Sequence, residues 1–322
     1  MTSITIIKAG PFSSIQDAGR IGYQHLGVPR SGTLDLDALY LGNTLLGNEY
    51  QTSAIEICFG NFVAEVSQTT AVTLTGSQSA CLVRHGASGQ NETYPAGSYI
   101  RLEAGDRIEI PPFGDSLSVL LCVAGGIDVP FVYGSQSTTI NAKLGGFHGR
   151  CLQDGDQLTL LPSSISRTQE TRFISPDVFC KENKFHILFG PQDFWFTNAA
   201  LTSLASQTYK ISPQTSRMGM RLIGPELQHK NAADIISDAM MRGVLQVPAD
   251  GQPIIAMADH GTMGGYPKIA CIISSQLSAL GRLRPHDEIS FEVTTEEQVT
   301  KMAHAHQRRL KEAIKHASPA LR

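Results

Sequence analysis

Tryptophan occurs once in 322 residues, and aromatic residues make up 7% of the chain. So small an aromatic store argues against a stacking platform of the kind that holds sugars. Basic excess is missing too: 26 Lys and Arg against 29 Asp and Glu give a net charge of −3. No field is available to hold a polyanion, and no nucleic-acid partner is expected. The longest apolar run, LSVLLCVAGGI at 117–127, falls well short of the roughly 18–20 residues that cross a bilayer, so no membrane partner is expected either. The stretch MTSITIIKAG lacks the basic-then-apolar pattern of a signal peptide. None of the six cysteines forms a CxxC pair. Both absences point to a reduced, cytoplasmic setting.

Several reaction classes lose their signatures in the same way. There is no GxxxxGK[ST] phosphate loop and no strand–GxGxxG–helix fingerprint, so a standard nucleotide fold is not expected in this chain. No HExxH occurs, the ten histidines are scattered, and His304 and His306 lie two apart on a predicted helix, pointing to different sides. No metal site is expected. No GxSxG nucleophile elbow is present. Lys301–Met302 falls in a helical pattern, not in the methionine-flanked hairpin of a biotin carrier.

What remains is a soluble-protein composition, 41% hydrophobic and 17% charged, punctuated by 30 glycines and 16 prolines. Short runs such as ITII, AIEICFG, FVAEV, AVTLTG, RIEIPP, FHILFG, PIIAMA, IACIIS and EISFEV are rich in β-branched and aromatic residues between turn signals. They predict a mainly β protein with a few helices. Asp35 caps a predicted helix through LDALYLGNTLL, ended by Gly47 and Asn48. Thr197 caps another through NAALTSLAS, and Ser275 a third through QLSALGRL. A last helix opens on a capping box of Thr294 and Glu297, with Val299, Met302, Ala303, Leu310 and Ile314 as its apolar stripe. Three similar stretches, AGDRIEI, DGDQLTL and RPHDEISF, each put an acid in a tight turn before an alternating strand, a sign of a reused β unit. The polar, aperiodic stretch 162–184 predicts a linker between an N-terminal subdomain, 1–175, and a C-terminal one, 185–322.

Polar chemistry concentrates in three places. QDAGRIGYQHLGVPRSGTLD, 16–35, gathers glycines with Gln24, His25 and Ser31 ahead of a helix N-terminus, a natural anion site. In SPQTSRMGMRLIGPEL, 212–227, an extended chain puts Arg217 and Arg221 on one face, where they could fork onto a carboxylate, with Met218, Met220 and Leu222 on the other. QVPADGQPIIAMADHGTMGGYPKIA, 246–270, interrupts two strand-like runs with Gln252, Asp259, His260, Thr262, Gly264, Gly265, Tyr266 and Lys268. There Asp259 is a candidate general base, and Tyr266 and Lys268 are candidate donors to a developing oxyanion. Gly264 and Gly265 would allow positive φ. His260, a lone histidine beside an acid, reads as a hydrogen-bonded structural residue.

These clusters, in this order, together with IKAGPFSSIQDAGRIGYQHLGVPRSGTLD, NTLLGN, LCVAGGIDVP, LGGFHGRCLQDGDQL, SRMGMRL and GGYPKIACI, resemble the biotin-dependent carboxyltransferase family, also called allophanate hydrolase subunit 2. Its members include the C subunit of 5-oxoprolinase and an antagonist of a sporulation-kinase inhibitor. The resemblance covers almost the whole chain. It implies two cyclophilin-like β-barrel subdomains and a partner subunit of related cyclophilin-like fold. It implies a hydrolase subunit, active in complex, that opens the cyclic amide 5-oxo-L-proline to L-glutamate with ATP and a lactam-utilisation subunit. The alternatives are the carboxyltransferase component of a biotin-dependent urea carboxylase, or a regulatory protein that binds a kinase inhibitor.

From their place at the polar interruption, the expected catalytic residues are Asp259, Lys268 and Tyr266. The expected substrate contacts are Arg217, Gln252, Thr262, Gly264, Gly265, Gln24, His25 and Ser31. The chain departs from the family pattern at Gly261, where Gln is usual, at Met263, where Thr is usual, and at Met220, where Tyr is frequent. Loss of the glutamine removes both a donor and an acceptor.

Overall fold

Successive side chains of a strand point to opposite faces. FVAEV shows it directly: Phe62, Ala64 and Val66 are buried and Val63 and Glu65 half-buried in the strand Phe62–Val66. Continuous apolar runs give strands covered on both faces, and Ser118–Val123 is buried at every position. The computed structural model describes residues 1–163 and 172–316, and the mainly β reading holds throughout them.

Two units share these strands. The first is built from Met1–Arg20, Asp35–Cys180 and the chain from Arg308 onward. One of its sheets runs in the order Gln157–Thr159, Ser3–Lys8, Phe62–Val66, Arg107–Ile110, Cys81–Arg84, Asn91–Tyr94; the other runs Phe12–Gln16, Ala54–Cys58, Ser118–Val123, Thr70–Thr75, Ile100–Leu102. The two sheets enclose one core, to which Ile4, Phe62 and Ile108 come from the first and Ile15, Ile57 and Leu121 from the second. Helix Leu36–Leu46 packs its Leu39, Leu41 and Leu45 in a second cluster with Ala71, Leu120 and Cys122. Asp35 caps it by accepting from Ala38 N, and Gly47 closes it at φ 76°. The anion site expected at this helix N-terminus is thus filled by the chain's own carboxylate.

The predicted linker is corrected in part. Residues 164–171 lie outside the described residues. Beyond them, strand Arg172–Ile174 and the 3-10 turn Pro176–Phe179 belong to the first unit, with Ile174 and Phe179 buried in the helix-side cluster. Phe, Ile and Val among polar neighbours were enough to pack it. Arg172–Ile174 pairs with Ile314–His316.

The second unit takes Ile21–Leu34 and Lys181–Gln307. Its seven strands close into a barrel in the order Lys184–Phe189, Lys268–Ile272, Val244–Gln246, Ile254–Ala256, Gly219–Ile223, Thr208–Ile211, Glu288–Val293, and the ring is sealed by parallel pairing of the last with the first. Closure removes exposed sheet edges. Thr197 caps helix Asn198–Ser206 through Ala200 N. The helix expected after Ser275 is instead two 3-10 turns, Ser274–Gln276 and Ala279–Arg282. Gly281 allows a close approach there, because a Cβ at this position would lie 2.4 Å from Leu34 O. The last helix, Glu296–Ala313, opens one residue later than expected. Thr295 and Gln298 exchange the capping-box bonds, Gln298 N donating to Thr295 Oγ1 at 3.4 Å and Thr295 N to Gln298 Oε1 at 3.3 Å. No described helix is long and apolar enough to cross a membrane.

The three similar stretches adopt one turn. In each, the aspartate carboxylate accepts from the backbone N three residues earlier: Asp106 from Glu103 at 2.9 Å, Asp156 from Gln153 at 2.8 Å and Asp287 from Arg284 at 2.8 Å. The residue before each aspartate, Gly105, Gly155 or His286, has φ of 84°, 88° or 78°. Each turn also exchanges two backbone bonds with another strand end, through Val66, Ile6 and Ile211 respectively. A basic side chain meets each acid: His85, Arg150 and Lys181.

Candidate active site

Barrel strand Ile254–Ala256 runs on into Met257, Ala258, Asp259 and His260, all buried. The backbone holds this exit in place, Met257 N donating to Met218 O at 3.2 Å and Asp259 N to Arg217 O at 2.7 Å. Residues 261–267 then cross to Lys268–Ile272, which is separated from Ile254–Ala256 in the barrel by Val244–Gln246. Met263–Gly264 forms a two-residue ladder with Asp238–Ala239. A bulge sets the far side: Leu245 pairs with Ala270 but Gln246 with Lys268. Such an extra residue re-aims the side chains beside it.

A cavity of about 440 Å³ opens between these elements, with Arg221, Gln246, His260, Gly264, Gly265 and Tyr266 among its lining residues. Its volume is that of a small-molecule site. Met218 and Met263, 48% and 56% exposed, add soft apolar surface to the lining.

Beside it lies a buried ion pair. Arg217 Nε is 2.8 Å from Asp259 Oδ2 and Nη2 is 3.1 Å from Oδ1, the two side chains being 8% and 7% exposed. Ser31 Oγ donates to Asp259 Oδ1 at 2.8 Å, and Arg217 Nη2 donates to Gly32 O at 2.5 Å. Ser31 and Gly32 both take positive φ, 55° and 89°, which turns this loop onto the pair. Arg242 fixes the next residues by donating to Thr33 O at 3.2 Å and to Leu34 O. Asp259, Arg217 and Ser31, expected separately as base and substrate contacts, therefore form one bonded group.

Lys268 is 3% exposed. Its Nζ lies 3.0 Å from Asp238 Oδ2, yet it makes no aligned hydrogen bond among the described residues. The ammonium holds the Asp238 carboxyl below its ordinary range. Gly264 and Gly265 do not take positive φ. At Gly264 space is the reason for glycine, because a Cβ would lie 2.8 Å from Met240 Sδ and 3.2 Å from Gln246 Oε1. Gln252 is spent on backbone, its amide bonding both Gly224 N at 2.9 Å and Gly224 O at 3.1 Å. Thr262 offers its carbonyl to Met240 N at 3.0 Å, and its side chain does not line the cavity. Gln24 and His25 lie exposed on the 3-10 turn Gln24–Leu26, off the cavity wall.

The two arginines do not share a face. The strand begins only at Gly219, Arg217 turns inward ahead of it, and Arg221 is exposed and lines the cavity. Arg221 was put forward by the sequence as half of a carboxylate fork, whereas His260, Gln246, Gln214 and Ser216 are polar wall residues that it did not put forward as contacts. The alternation of Met220 and Leu222 with Arg221 was the available signal for the arginine.

The carboxyltransferase domain model, subdomain A and B, matches residues 26–293. The C subunit of the Escherichia coli (strain K12) 5-oxoprolinase is 34% identical over 305 residues, 95% of this chain and 96% of its own. The urea amidolyase of Saccharomyces cerevisiae is 28% identical over 313 residues, 90% of this chain and 16% of its own. The crystal structure of the K. lactis urea amidolyase shares the fold with a TM-score of 0.87 at 23% identity, over 96% of this chain and 20% of that one. With both the domain model and a relative above 30% identity spanning most of its length, the chain belongs to the family of carboxyltransferase domains, subdomains A and B.

Proposed function

We propose that the chain is one subunit of an ATP-dependent 5-oxoprolinase, opening 5-oxo-L-proline to L-glutamate together with partner subunits. The carrying observation is its 34% identity to a protein named as the C subunit of 5-oxoprolinase, over 96% of that protein's length. The cavity supports the reading by its size and by a wall that mixes apolar surface with a few polar groups.

ATP does not fit this cavity. Its lining holds one arginine, no lysine and no glycine-rich turn ahead of a helix, so nothing in it cradles a triphosphate. The ATP-dependent part of the reaction is therefore assigned to the partner subunits. In this chain, Arg221 holds the substrate carboxylate, and Tyr266 donates to the amide oxygen. Lys268, paired with Asp238 and not among the lining residues, adds its charge without touching the substrate. Arg217, Asp259 and Ser31 brace the wall, and Gln252 and Thr262 support the backbone around it; Gln24 and His25 take no part.

The second reading is a carboxyltransferase part of a biotin-dependent urea carboxylase, favoured by the 28% identity to urea amidolyase. Reconstitution separates the two. The chain is co-expressed with the subunits encoded beside it, and glutamate formation from 5-oxoproline and ATP is followed with and without it. Glutamate that requires the chain is the expected result. A well-formed complex that makes none would overturn the proposal and send the test to carboxyl transfer onto urea.

A further inference from the structure

His260 lines the cavity and is 3% exposed. Its Nδ1 lies 2.7 Å from Gly261 O. A carbonyl oxygen only accepts, so Nδ1 carries the hydrogen, and the neutral ring's lone pair is on Nε2. Nε2 makes no hydrogen bond among the described residues. The charged groups around the ring are Asp259, Arg242 and Arg30. Asp259 has both oxygens engaged by Arg217 and Ser31, and Arg242 bonds the carbonyls of Thr33, Leu34 and Leu277. Burial, aided by the two arginines and opposed by the Gly261 bond and Asp259, pushes the imidazole below its ordinary range. The ring is thus a neutral acceptor near pH 7.

Among the polar side chains that share this wall, Arg221 only donates, while the Tyr266 and Ser216 hydroxyls and the Gln214 and Gln246 amides can turn to donate or to accept. The His260 Nε2 lone pair, fixed as an acceptor by the Nδ1 bond, marks the place for a ligand N–H.

We propose that His260 Nε2 is the acceptor through which the cavity recognises the N–H of an amide substrate, making it a specificity-determining residue. The inference rests on the amide-substrate reading above but not on the choice of amide, because 5-oxoproline and urea both carry an N–H.

The test compares 5-oxoproline with its N-methyl analogue on the assembled enzyme. The parent complex is expected to bind the N-methyl compound at least about tenfold more weakly, as inhibition of 5-oxoproline turnover reads it. His260→Phe should raise KM by a similar factor and bring the two compounds close to parity. His260→Gln, which can still accept, should restore part of the preference. Equal binding of both compounds by the parent, or an undiminished preference in a folded His260→Phe complex, would overturn the assignment. If the phenylalanine variant does not fold, the parent comparison and the glutamine variant decide. If the parent complex turns over no 5-oxoproline, the subunit proposal fails alone. The His260 assignment is then judged by titrating the 15N-histidine-labelled chain with urea. A shift of the Nε2 resonance not shared by Nδ1 supports it, and an unmoved Nε2 overturns it.

Discussion

Removing Asp259 tests whether the Arg217–Asp259 pair is a structural brace. Asp259→Ala leaves the Arg217 guanidinium, 8% exposed, without its counter-charge and takes two hydrogen bonds of 2.8 and 3.1 Å from it. It also takes the acceptor from Ser31 Oγ. Breaking a buried pair from one side costs about 3–5 kcal/mol, because the remaining charge stays desolvated. At roughly 2–4 °C of melting temperature per kcal/mol, the loss is about 6–20 °C. The assay can be confined to the second unit, because the single tryptophan, Trp195, lies in it. Its fluorescence is followed on heating for the parent, Asp259→Ala, Arg217→Met and the double variant Arg217→Met/Asp259→Leu. The double variant should recover at least half of the loss, since an apolar pair of similar volume carries no buried charge. A fall of less than about 2 °C in Asp259→Ala, or a double variant as unstable as the sum of the singles, would refute the reasoning.

His286 occupies the positive-φ position that Gly105 and Gly155 hold in the equivalent turns, so His286→Gly should stabilise the second unit by up to about 1 kcal/mol in urea unfolding. Gly42→Ala should cost about 1–3 kcal/mol in the first unit, because its Cβ would lie 2.6 Å from Cys122 Sγ. The Asp106 hydrogen bond raises the His85 imidazole above its ordinary 6.5, and an NMR pH titration should show this. Its stabilisation is fully present below 6.5 and is lost as pH rises through the folded value; Asp106→Asn should shrink the shift, leaving the smaller contribution of Glu92. Burial pushes the Cys81 and Cys122 thiols up to about 12, while Cys180 is exposed. A thiol reagent should therefore label Cys180 first and reach Cys81 and Cys122 only on unfolding, which mass spectrometry of the Cys180→Ser variant checks.

The strands and the first two helix caps were legible because they depend on local rules: alternation, turn residues and an acid or hydroxyl before an apolar run. The reused turn was legible for a similar reason, since the aspartate bonds a backbone N only three residues away. Strands were harder to see where they were short or polar, as in Asn91–Tyr94, which alternates little and is mostly exposed. The site was harder still. Asp259, Arg217 and Ser31 could each be singled out, but their bonding to one another depends on residues 42 and 228 positions apart coming together. Gly264 and Gly265 were marked by type, yet the reason for Gly264 is a neighbouring methionine, not the backbone angle. His260 illustrates the same limit, because a sequence does not say which imidazole nitrogen is spent.

Neither unit is a single stretch of chain. The second takes Ile21–Leu34 from between two pieces of the first, and the first takes back the chain from Arg308. A cut after residue 180 would therefore yield an N-terminal fragment carrying a loop foreign to it and lacking the strand Ile314–His316 that pairs with Arg172–Ile174. On the ribosome the same threading imposes an order. Most of the first unit is synthesised before the barrel, but its ladder at Arg172–Ile174 waits until residues 314–316 have emerged. Genetic fusions and deletions in this protein have to respect that crossing, because a split between the units parts strands that only the uncut chain delivers to each other.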